Sequence, residues 1–274
     1  LNLWTAMLVG RELESLGAEV KLARAGDDPV TTVSLDHFDP REQTAFYYYR
    51  SLDNWMPRYL AMSDRDLARA LPNAPEVAKV RRESGKVDLF LQEDLNARML
   101  VAEAFRPDLL LIFHFDAANT GRLQNAVNDV EVYVPGAMGK TETGARADRA
   151  LILEQLLEVR RWRESVEVGS RLVRSVAGEL DLPLLRSDRS PSMLKVRDGV
   201  YARNLFQTKR ATSELCVYFE SLHYDHQSEF SRLAIRNRTA SFRGTTFAYP
   251  GRLDGIATGV RRGLLEYFRE FDRD

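Results

Sequence analysis

The sequence predicts an α/β protein in which helices cover both faces of a central sheet that is largely parallel or mixed. Short apolar runs typical of strands buried on both faces alternate with amphipathic helical patterns along the chain. Two of these runs end at a residue that can do chemistry, His114 and Glu220. The composition, 44% hydrophobic and 29% charged among 274 residues, is that of a folded chain. We expect a single domain.

Helical patterns occur at the start, in the middle and at the end of the chain. Residues 2–16 and 87–105 carry apolar residues at helical spacing. Residues 145–181 are strongly charged and predict two further helices, and residues 254–271 predict a last amphipathic helix. These helices supply the layers that the predicted sheet needs on its faces.

Four segments have the composition of strands. The apolar runs 108–113 and 215–219 suit strands that are buried on both faces. Residues 18–23 and 130–134 alternate in polarity, as half-buried strands do. Residues 182–200 contain two prolines, several serines and a glycine, and predict a loop.

The strand ends predict where the chemistry lies. Ligands bind at the carboxyl ends of strands in open α/β sheets, so we expect His114 and Glu220 to converge on one cleft. A histidine held at a strand end suits a metal ligand. A partly desolvated carboxylate has a pKa raised toward the range of acid–base catalysis. The residues alone leave a structural role open for each. His114 could be hydrogen-bonded to a neighbouring loop, and Glu220 could be a buried partner of an arginine.

Other patterns give weaker signals. His223, Asp225 and His226 lie close together, but a surface loop or the start of a helix is the simpler interpretation. The chain has no P-loop, G-x-G-x-x-G, H-E-x-x-H or G-x-S-x-G motif. Its net charge of −1 gives no electrostatic footprint for nucleic acid. The chain contains no run of 18 apolar residues, so the sequence predicts no membrane span.

Taken in order, these segments resemble the zinc-dependent N-acetylmuramoyl-L-alanine amidases of the amidase type 3 family, which cleave bacterial cell wall. The stretch Leu110–Ala117 is similar to the family's "A-D-L-F-V-S-I-H-A-N" segment, Val130–Val134 to its "G-x-E-V-Y" strand and Val217–Glu220 to its "V-L-V-E" strand. The resemblance covers nearly the whole chain, and its further matches are Asn2–Leu3, Gly17–Val20, Leu22–Arg24, Leu95–Arg98, Ser170–Val173 and Ile256–Phe268.

The resemblance implies roles for particular residues. By position, His114 is a zinc ligand, and Glu220 is the carboxylate that activates the zinc-bound water and then protonates the leaving amine. Asp116, Asn119 and Arg98 are implied as residues that contact the substrate or support the zinc ligand. The implied cofactor is Zn²⁺, and the implied substrate is peptidoglycan, cut between N-acetylmuramic acid and L-alanine. The implied location is extracellular or periplasmic, with a signal peptide.

The chain departs from the family pattern at its start. The family's other two zinc ligands, a histidine and a glutamate, belong to a first strand and its surroundings that would precede Leu1. We therefore expect a single amidase-like domain without its first strand, which binds zinc poorly and is inactive as it stands. Phe115 replaces the usual small residue after the zinc histidine, and residues 221–225 replace the family's "G-F-L-S-N".

Two helical insertions, at about 36–85 and 139–169, are atypical of the family. A solvated helical hairpin is the simpler interpretation of the second insertion, whereas the resemblance implies a blocking helix that would place Glu142, Glu154 or Glu158 at the zinc position. Two other functions stay open. One is a different metal-dependent amidohydrolase or peptidase on a related fold. The other is a non-catalytic relative that binds peptidoglycan or a partner.

Overall fold

The fold is described from a computed structural model over residues 1–26, 28–31, 65, 75–117, 126–136, 159–187, 193–203, 205, 207–208, 211 and 215–271. The helices are α1 Asn2–Ser15, α2 Pro75–Phe105, α3 Val159–Leu180, α4 Gln227–Ala234 and α5 Arg252–Phe271. The strands are β1 Leu109–Asp116, β2 Glu131–Val134, β3 Leu194–Arg197, β4 Val200–Ala202, β5 Leu215–His223, β6 Arg238–Phe242 and β7 Thr245–Tyr249.

Five strands form one mixed sheet in the order β1-β5-β2-β4-β3. The pairs β1–β5 and β2–β4 are parallel, whereas β2–β5 and β3–β4 are antiparallel. Helices flank this sheet, so the predicted fold class is confirmed in its mixed form. Strands β1 and β5 have the longest apolar runs of the sheet, and they lie side by side.

One face of the sheet packs against α1, α3 and α5. Side chains from alternate positions of the strands enter this core, among them Phe113, Val132, Val217 and Phe219. Helices α3 and α5 carry one strongly apolar side each, which the sheet and the neighbouring helix bury. Burying that much apolar surface is the main stabilising term for this layer.

The opposite face of the sheet is rich in tyrosine. Tyr133, Tyr201 and Tyr218 are buried there and pack with Leu185 and Met193. Because successive side chains of a strand point to opposite faces, the strands supply an apolar layer on one side and hydroxyl groups on the other. The candidate site residues lie on this second face.

The two central helices approach closely through glycines. Gly255, Gly259 and Gly263 recur at four-residue spacing on α5 and therefore share one side of the helix. A Cβ atom added to Gly259 would lie 2.6 Å from the Cα atom of Val176 on α3, and one added to Gly263 would lie 3.0 Å from the Cα atom of Leu172. At Gly259 and Gly263 the backbone of α3 therefore lies too close for a side chain to be added without a shift.

Several sequence-based predictions of structure are confirmed. Residues 2–16 form α1, residues 87–105 lie within α2, and residues 254–271 lie within α5. The two helices predicted over residues 145–181 correspond, from Val159 onward, to the single helix α3. The insertion expected at 139–169 therefore overlaps α3, whose Val166 and Val168 are part of the core.

Other predictions are wrong. Residues 18–23 form no strand, because no described strand pairs with them. The loop predicted at 182–200 contains β3 and the first residue of β4, which pair with each other. The hairpin of β6 and β7 was not predicted, although Arg243-Gly244 between two β-rich segments is a hairpin signal. Both turn residues have positive φ angles, 47° and 82°, as that turn requires.

No helix in the described part of the chain combines the length and apolar character needed to cross a membrane.

We predict that Gly259→Ala destabilises the protein by about 1–3 kcal/mol, the usual cost of overpacking a core. The added methyl group would overlap the backbone of α3 at Val176. Gly178→Ala on α3 is the matched control, because a Cβ atom there meets only the end of the Arg262 side chain, at 3.4 Å. Chemical denaturation of both variants measures the difference. Equal stability of the two would contradict close packing of α3 and α5.

Candidate active site

His114 and Glu220 lie side by side on β1 and β5. The parallel register pairs the two residues directly, and the His114 Nδ1 atom is 3.0 Å from the Glu220 Oε2 atom. The His114 side chain is 49% exposed, whereas that of Glu220 is 9% exposed. The prediction that both residues meet at the same end of neighbouring parallel strands is confirmed.

The strands continue beyond these residues, contrary to the sequence-based boundaries. Strand β1 reaches Asp116 and β5 reaches His223, and the register shifts between His114 and Asp116. Such an irregularity bends a strand and re-aims its side chains, and it is often found beside functional sites. The sequence pattern therefore identified the correct end of both strands, but it predicted that each strand stops a few residues too early.

Alternation along β1 explains why His114 faces the cleft. Phe113 and Phe115 on either side of it are buried in the apolar core, and the Phe113 ring stacks on Phe219 at a centroid distance of 5.4 Å. Their burial fixes the strand's orientation, and so His114 points to the opposite face. The same argument applies to Glu220, which follows buried Phe219 on β5.

Both members of the pair hold protons more tightly than usual. The hydrogen bond to Glu220 raises the pKa of His114, with the negative charges of Glu220 and Asp116 adding to the effect against the opposing effect of burial. Burial raises the pKa of the Glu220 carboxyl, although the hydrogen bond and charge of His114 oppose that shift. A carboxyl with a raised pKa beside a histidine can exchange protons near neutral pH.

The hydrogen bond uses the Nδ1 atom of His114 and leaves its Nε2 atom for another partner. A histidine held by a carboxylate in this way is oriented to bind a metal ion or to accept a proton through its second nitrogen. Glu220 can act in two ways, as a proton acceptor in its own right or as the group that orients His114. The geometry permits both chemical roles.

A second polar group adjoins the pair. His223 is buried, with its Nε2 atom 3.3 Å from Asp129 Oδ1 and 3.6 Å from Asp116 Oδ2, and its Nδ1 atom 4.0 Å from Asp225 Oδ1. Asp116 belongs to both groups. It lies close to His223, and its negative charge raises the pKa of both His114 and Glu220. Sequence reasoning missed Asp129, which lies in a loop ahead of β2 and carries no motif.

Tyrosines lie beneath the site on the same face of the sheet. The rings of His114 and Tyr218 are 5.7 Å apart, and those of Tyr218 and Tyr133 are 5.9 Å apart. Tyr133 donates a hydrogen bond of 2.6 Å to buried Glu131, the residue opposite Glu220 across the β2–β5 pair. These contacts support the His114 ring from below and add a second buried carboxylate close to the site.

The remaining predicted site residues are not gathered at this cleft. Arg98 lies on α2, where it pairs with Asp94 four residues earlier. His226 immediately precedes α4 and interacts with Ser228, so it does not converge with His223. Asn119, Glu142, Glu154 and Glu158 lie outside the described residues, and their roles stay predictions.

The described residues do not complete a zinc site. A catalytic zinc ion takes three protein ligands and keeps one open position. Within the described ranges, no group of three His, Cys, Asp or Glu residues has the arrangement to hold a metal ion. Of the predicted site residues, His114 has a second ring nitrogen that is free of the contact with Glu220 and that suits one metal ligand.

We predict that nuclear magnetic resonance will place the titration midpoint of His114 above 6.5, its ordinary pKa, and that Glu220→Gln will lower it. Glutamine carries no charge to stabilise the imidazolium, while the opposing effect of burial remains. Glu266→Gln, an exposed position on α5, is the control and should leave the midpoint unchanged. A midpoint that Glu220→Gln does not move would contradict the pairing.

The same shift makes folding stability depend on pH. Because the folded-state pKa of His114 is raised, its stabilising contribution is complete below the unfolded pKa of about 6.5 and is lost as pH rises through the folded value. The stability of the parent relative to His114→Asn should therefore fall as pH rises above about 6.5. Thermal melting at a series of pH values measures this, and a rising difference would show that the sign is wrong.

Comparison with known proteins supports the fold. No protein-family model and no curated protein matches the chain. The CwlD amidase from Clostridioides difficile, solved in complex with the GerS lipoprotein, matches with a TM-score of 0.51 and 12% identity, covering 97% of this chain and 84% of its own.

The catalytic domain of CwlV, an N-acetylmuramoyl-L-alanine amidase from Bacillus (Paenibacillus) polymyxa var. colistinus, matches with a TM-score of 0.35 and 16% identity, covering 64% of this chain and 65% of its own. Ami1 from Mycobacterium smegmatis, an N-acetylmuramyl-L-alanine amidase, matches with a TM-score of 0.40 and 11% identity, covering 64% of this chain and 61% of its own. The match to CwlD, together with the sheet and its flanking helices, gives this chain the three-layer α/β fold of an amidase-type catalytic domain.

Proposed function

We propose that this chain is a hydrolase that cleaves the amide bond between N-acetylmuramic acid and L-alanine in peptidoglycan. The observation that carries the proposal is the direct pairing of His114 with Glu220 at one edge of a sheet of amidase-type fold. Fold alone does not determine function, because one fold can support many chemistries. The chemistry of this pair is therefore the stronger argument.

Glu220 is the proposed general base. Its carboxylate takes a proton from a water molecule, whose oxygen then bonds to the amide carbon of the substrate. The carbon–nitrogen bond breaks, and the proton passes from Glu220 to the leaving nitrogen of L-alanine. Burial suits this task, because a carboxyl with a raised pKa is a stronger base when ionised and a usable acid when protonated near neutral pH.

Zinc is the proposed cofactor, with His114 as one of its ligands. When bound, such an ion polarises the amide carbonyl and lowers the pKa of its water. His114 fits this role because Glu220 holds one ring nitrogen and leaves the other for the metal. The described residues supply no complete ligand set, and we assign no step of the reaction to the metal.

Asp116 is the residue best placed to contact the substrate beside the pair. Its side chain is 28% exposed, and its Oδ1 atom accepts a hydrogen bond of 2.7 Å from the backbone N–H of Ala117. That hydrogen bond and buried His223 orient the carboxylate at the rim of the cleft. We propose that Asp116 attracts the developing ammonium of the leaving L-alanine by its negative charge.

A peptidoglycan substrate implies that the protein acts outside the cytoplasmic membrane, and we propose an extracellular or periplasmic location. The products are the glycan strand and a free stem peptide. Because the CwlD structure contains a lipoprotein partner, a protein partner for this chain is worth testing alongside the wall itself.

We predict that Glu220→Gln lowers hydrolysis of labelled cell wall by roughly 10²–10⁴-fold, the usual contribution of acid–base catalysis. The measurement follows the release of dye alongside thermal melting. Glutamine preserves size but cannot accept the proton, so the loss should appear in the rate per folded molecule, which the melting data allow to be calculated. Glu266→Gln, exposed on α5, should retain the parent rate.

The alternatives give different outcomes in the same experiment. If Glu220 only supports the fold, Glu220→Gln lowers the melting temperature and leaves the rate per folded molecule intact. If the protein is a non-catalytic relative, the parent binds purified peptidoglycan without releasing dye. If it is another amidohydrolase, the parent cleaves small amide substrates and leaves the wall intact, while still depending on Glu220.

A further inference from the structure

Helix α4 carries a buried charge that the proposed chemistry does not use. The Glu229 side chain is fully buried, and Arg252 at the start of α5 donates two hydrogen bonds to its carboxylate, of 2.8 Å and 2.6 Å. Arg232 adds a hydrogen bond of 3.3 Å, and Arg252 also donates one of 2.9 Å to the backbone carbonyl of Leu180 at the end of α3. Because burying an unpaired carboxylate is costly, these contacts hold the three helices in one arrangement around Glu229.

Asn128 connects this ion pair to strand β5. Its Nδ2 atom donates a hydrogen bond of 3.2 Å to Glu229 Oε1, and its Oδ1 atom accepts one of 3.3 Å from the backbone N–H of His223. Only one orientation of the amide satisfies both contacts, since a carboxylate accepts and a backbone N–H donates. The Asn128 side chain is therefore held between the buried ion pair and the last residue of β5.

These contacts matter because Asn128 lies in a loop. Residues 126–129 form no helix or strand, and backbone pairing begins with a bridge at Val130. Side-chain contacts therefore help to place the loop. The next residue, Asp129, meets the ring of His223, whose Nε2 atom lies 3.3 Å from Asp129 Oδ1. The loop thus contacts both the backbone and the ring of His223.

His223 in turn fixes Asp116 at the cleft. The His223 Nε2 atom lies 3.6 Å from Asp116 Oδ2, and the backbone N–H of Tyr224 donates a hydrogen bond of 3.0 Å to the Asp116 carbonyl. The same Nε2 atom contacts Asp129, so the ring offsets the repulsion between two carboxylates of like charge. A continuous chain of contacts therefore runs from the buried ion pair through the loop to the carboxylate at the rim of the cleft.

We propose that Glu229 and Asn128 are positioning residues of the active site. They hold His223 in place and, through it, Asp116. The inference rests on the proposed function, in which Asp116 attracts the ammonium that develops on the leaving L-alanine. It adds that a buried ion pair between α4 and α5 sets the direction of this carboxylate. Fully satisfied buried polar networks specify one arrangement, so the loss of one member loosens the others.

Asn128→Ala tests the connection while keeping the buried ion pair. With a soluble muramoyl peptide as substrate, kcat per folded molecule should fall roughly 10-fold, the lower end of what loss of a supporting contact costs, and KM should change little. The reason is that Asp116 acts on a charge that develops only as the bond breaks. Asn237→Ala is the matched control, because its Oδ1 atom accepts a hydrogen bond of 3.0 Å from the backbone N–H of Gly251, in a different loop. It should keep both kinetic constants of the parent.

A double-mutant cycle separates positioning from general loosening of the fold. If Asn128 acts through Asp116, adding Asn128→Ala to Asp116→Asn should cost less than about twofold more, because the carboxylate that it positions is already gone. A full loss of roughly 10-fold in both backgrounds would overturn the proposal, and so would a change that appears in KM alone.

The ring nitrogens of His223 give a second readout, which needs no substrate. In isotope-labelled protein, Asn128→Ala and Glu229→Gln should both shift the magnetic resonance signals of the His223 ring. Asn237→Ala should leave these signals where they are. Unchanged His223 signals in the Asn128 variant would contradict the proposal whatever the rates of hydrolysis.

Failure of the proposal is distinguishable from failure of the proposed function. If the parent hydrolyses no muramoyl peptide, the proposed function is rejected, and the spectra alone decide whether Glu229 and Asn128 hold His223. If the parent hydrolyses the substrate and the Asn128 variant matches its rate, the function stands and the positioning role is rejected.

Discussion

The parallel pairing of β1 with β5 is the constraint on which the rest of the structure depends. It sets His114 against Glu220 by register, and it holds both residues on backbones that hydrogen-bond to each other along the strand. A shift of one residue would turn His114 into the apolar core and bring Phe115 to the cleft. The stacking of Phe113 on Phe219 prevents that shift, because both rings are buried on the opposite face.

Burying the Glu220 carboxylate costs free energy, and its pairing with His114 offsets part of that cost. A buried carboxylate such as Glu220 loses much of its hydration, and an isolated one would take up a proton instead. The His114 ring restores a partner for the charge while remaining half exposed. Burial and pairing thus act on Glu220 in opposite directions, and the balance leaves its pKa raised. That balance gives the pair proton affinities that suit acid–base chemistry.

Sequence patterns predicted the parts of the fold that are strongly periodic or strongly apolar. Strands β1 and β5 were found because their runs are apolar throughout, and α5 because its apolar side repeats over five turns. The strand predicted at residues 18–23 was wrong because alternating polarity produces a strand only when a neighbouring strand accepts its backbone hydrogen bonds. The short strands β3 and β4 were missed because their pairing, rather than their composition, defines them.

The candidate site, like the fold, was predictable from the sequence only in part. His114 and Glu220 could be found because each follows an apolar strand, and their contact follows from parallel pairing. His223 was noticed, but its partner Asp129 could not be, because the contact joins residues 94 positions apart through a loop without a motif. Arg98 was predicted to act at the site, but its guanidinium pairs with Asp94, one helical turn away on the same helix.

The tyrosines beneath the site give the protein an optical property. Burial raises the pKa of both Tyr133 and Tyr218, with nearby carboxylate charge adding to the effect, so both rings remain phenols throughout the pH range in which His114 titrates. Tyr218 lies against His114, and Tyr133 lies against Tyr218. A charge that appears on the His114 ring changes the field at these chromophores. Ultraviolet difference absorption near the tyrosine band can therefore follow the protonation of the site, or the arrival of an ion or substrate, in the unlabelled protein.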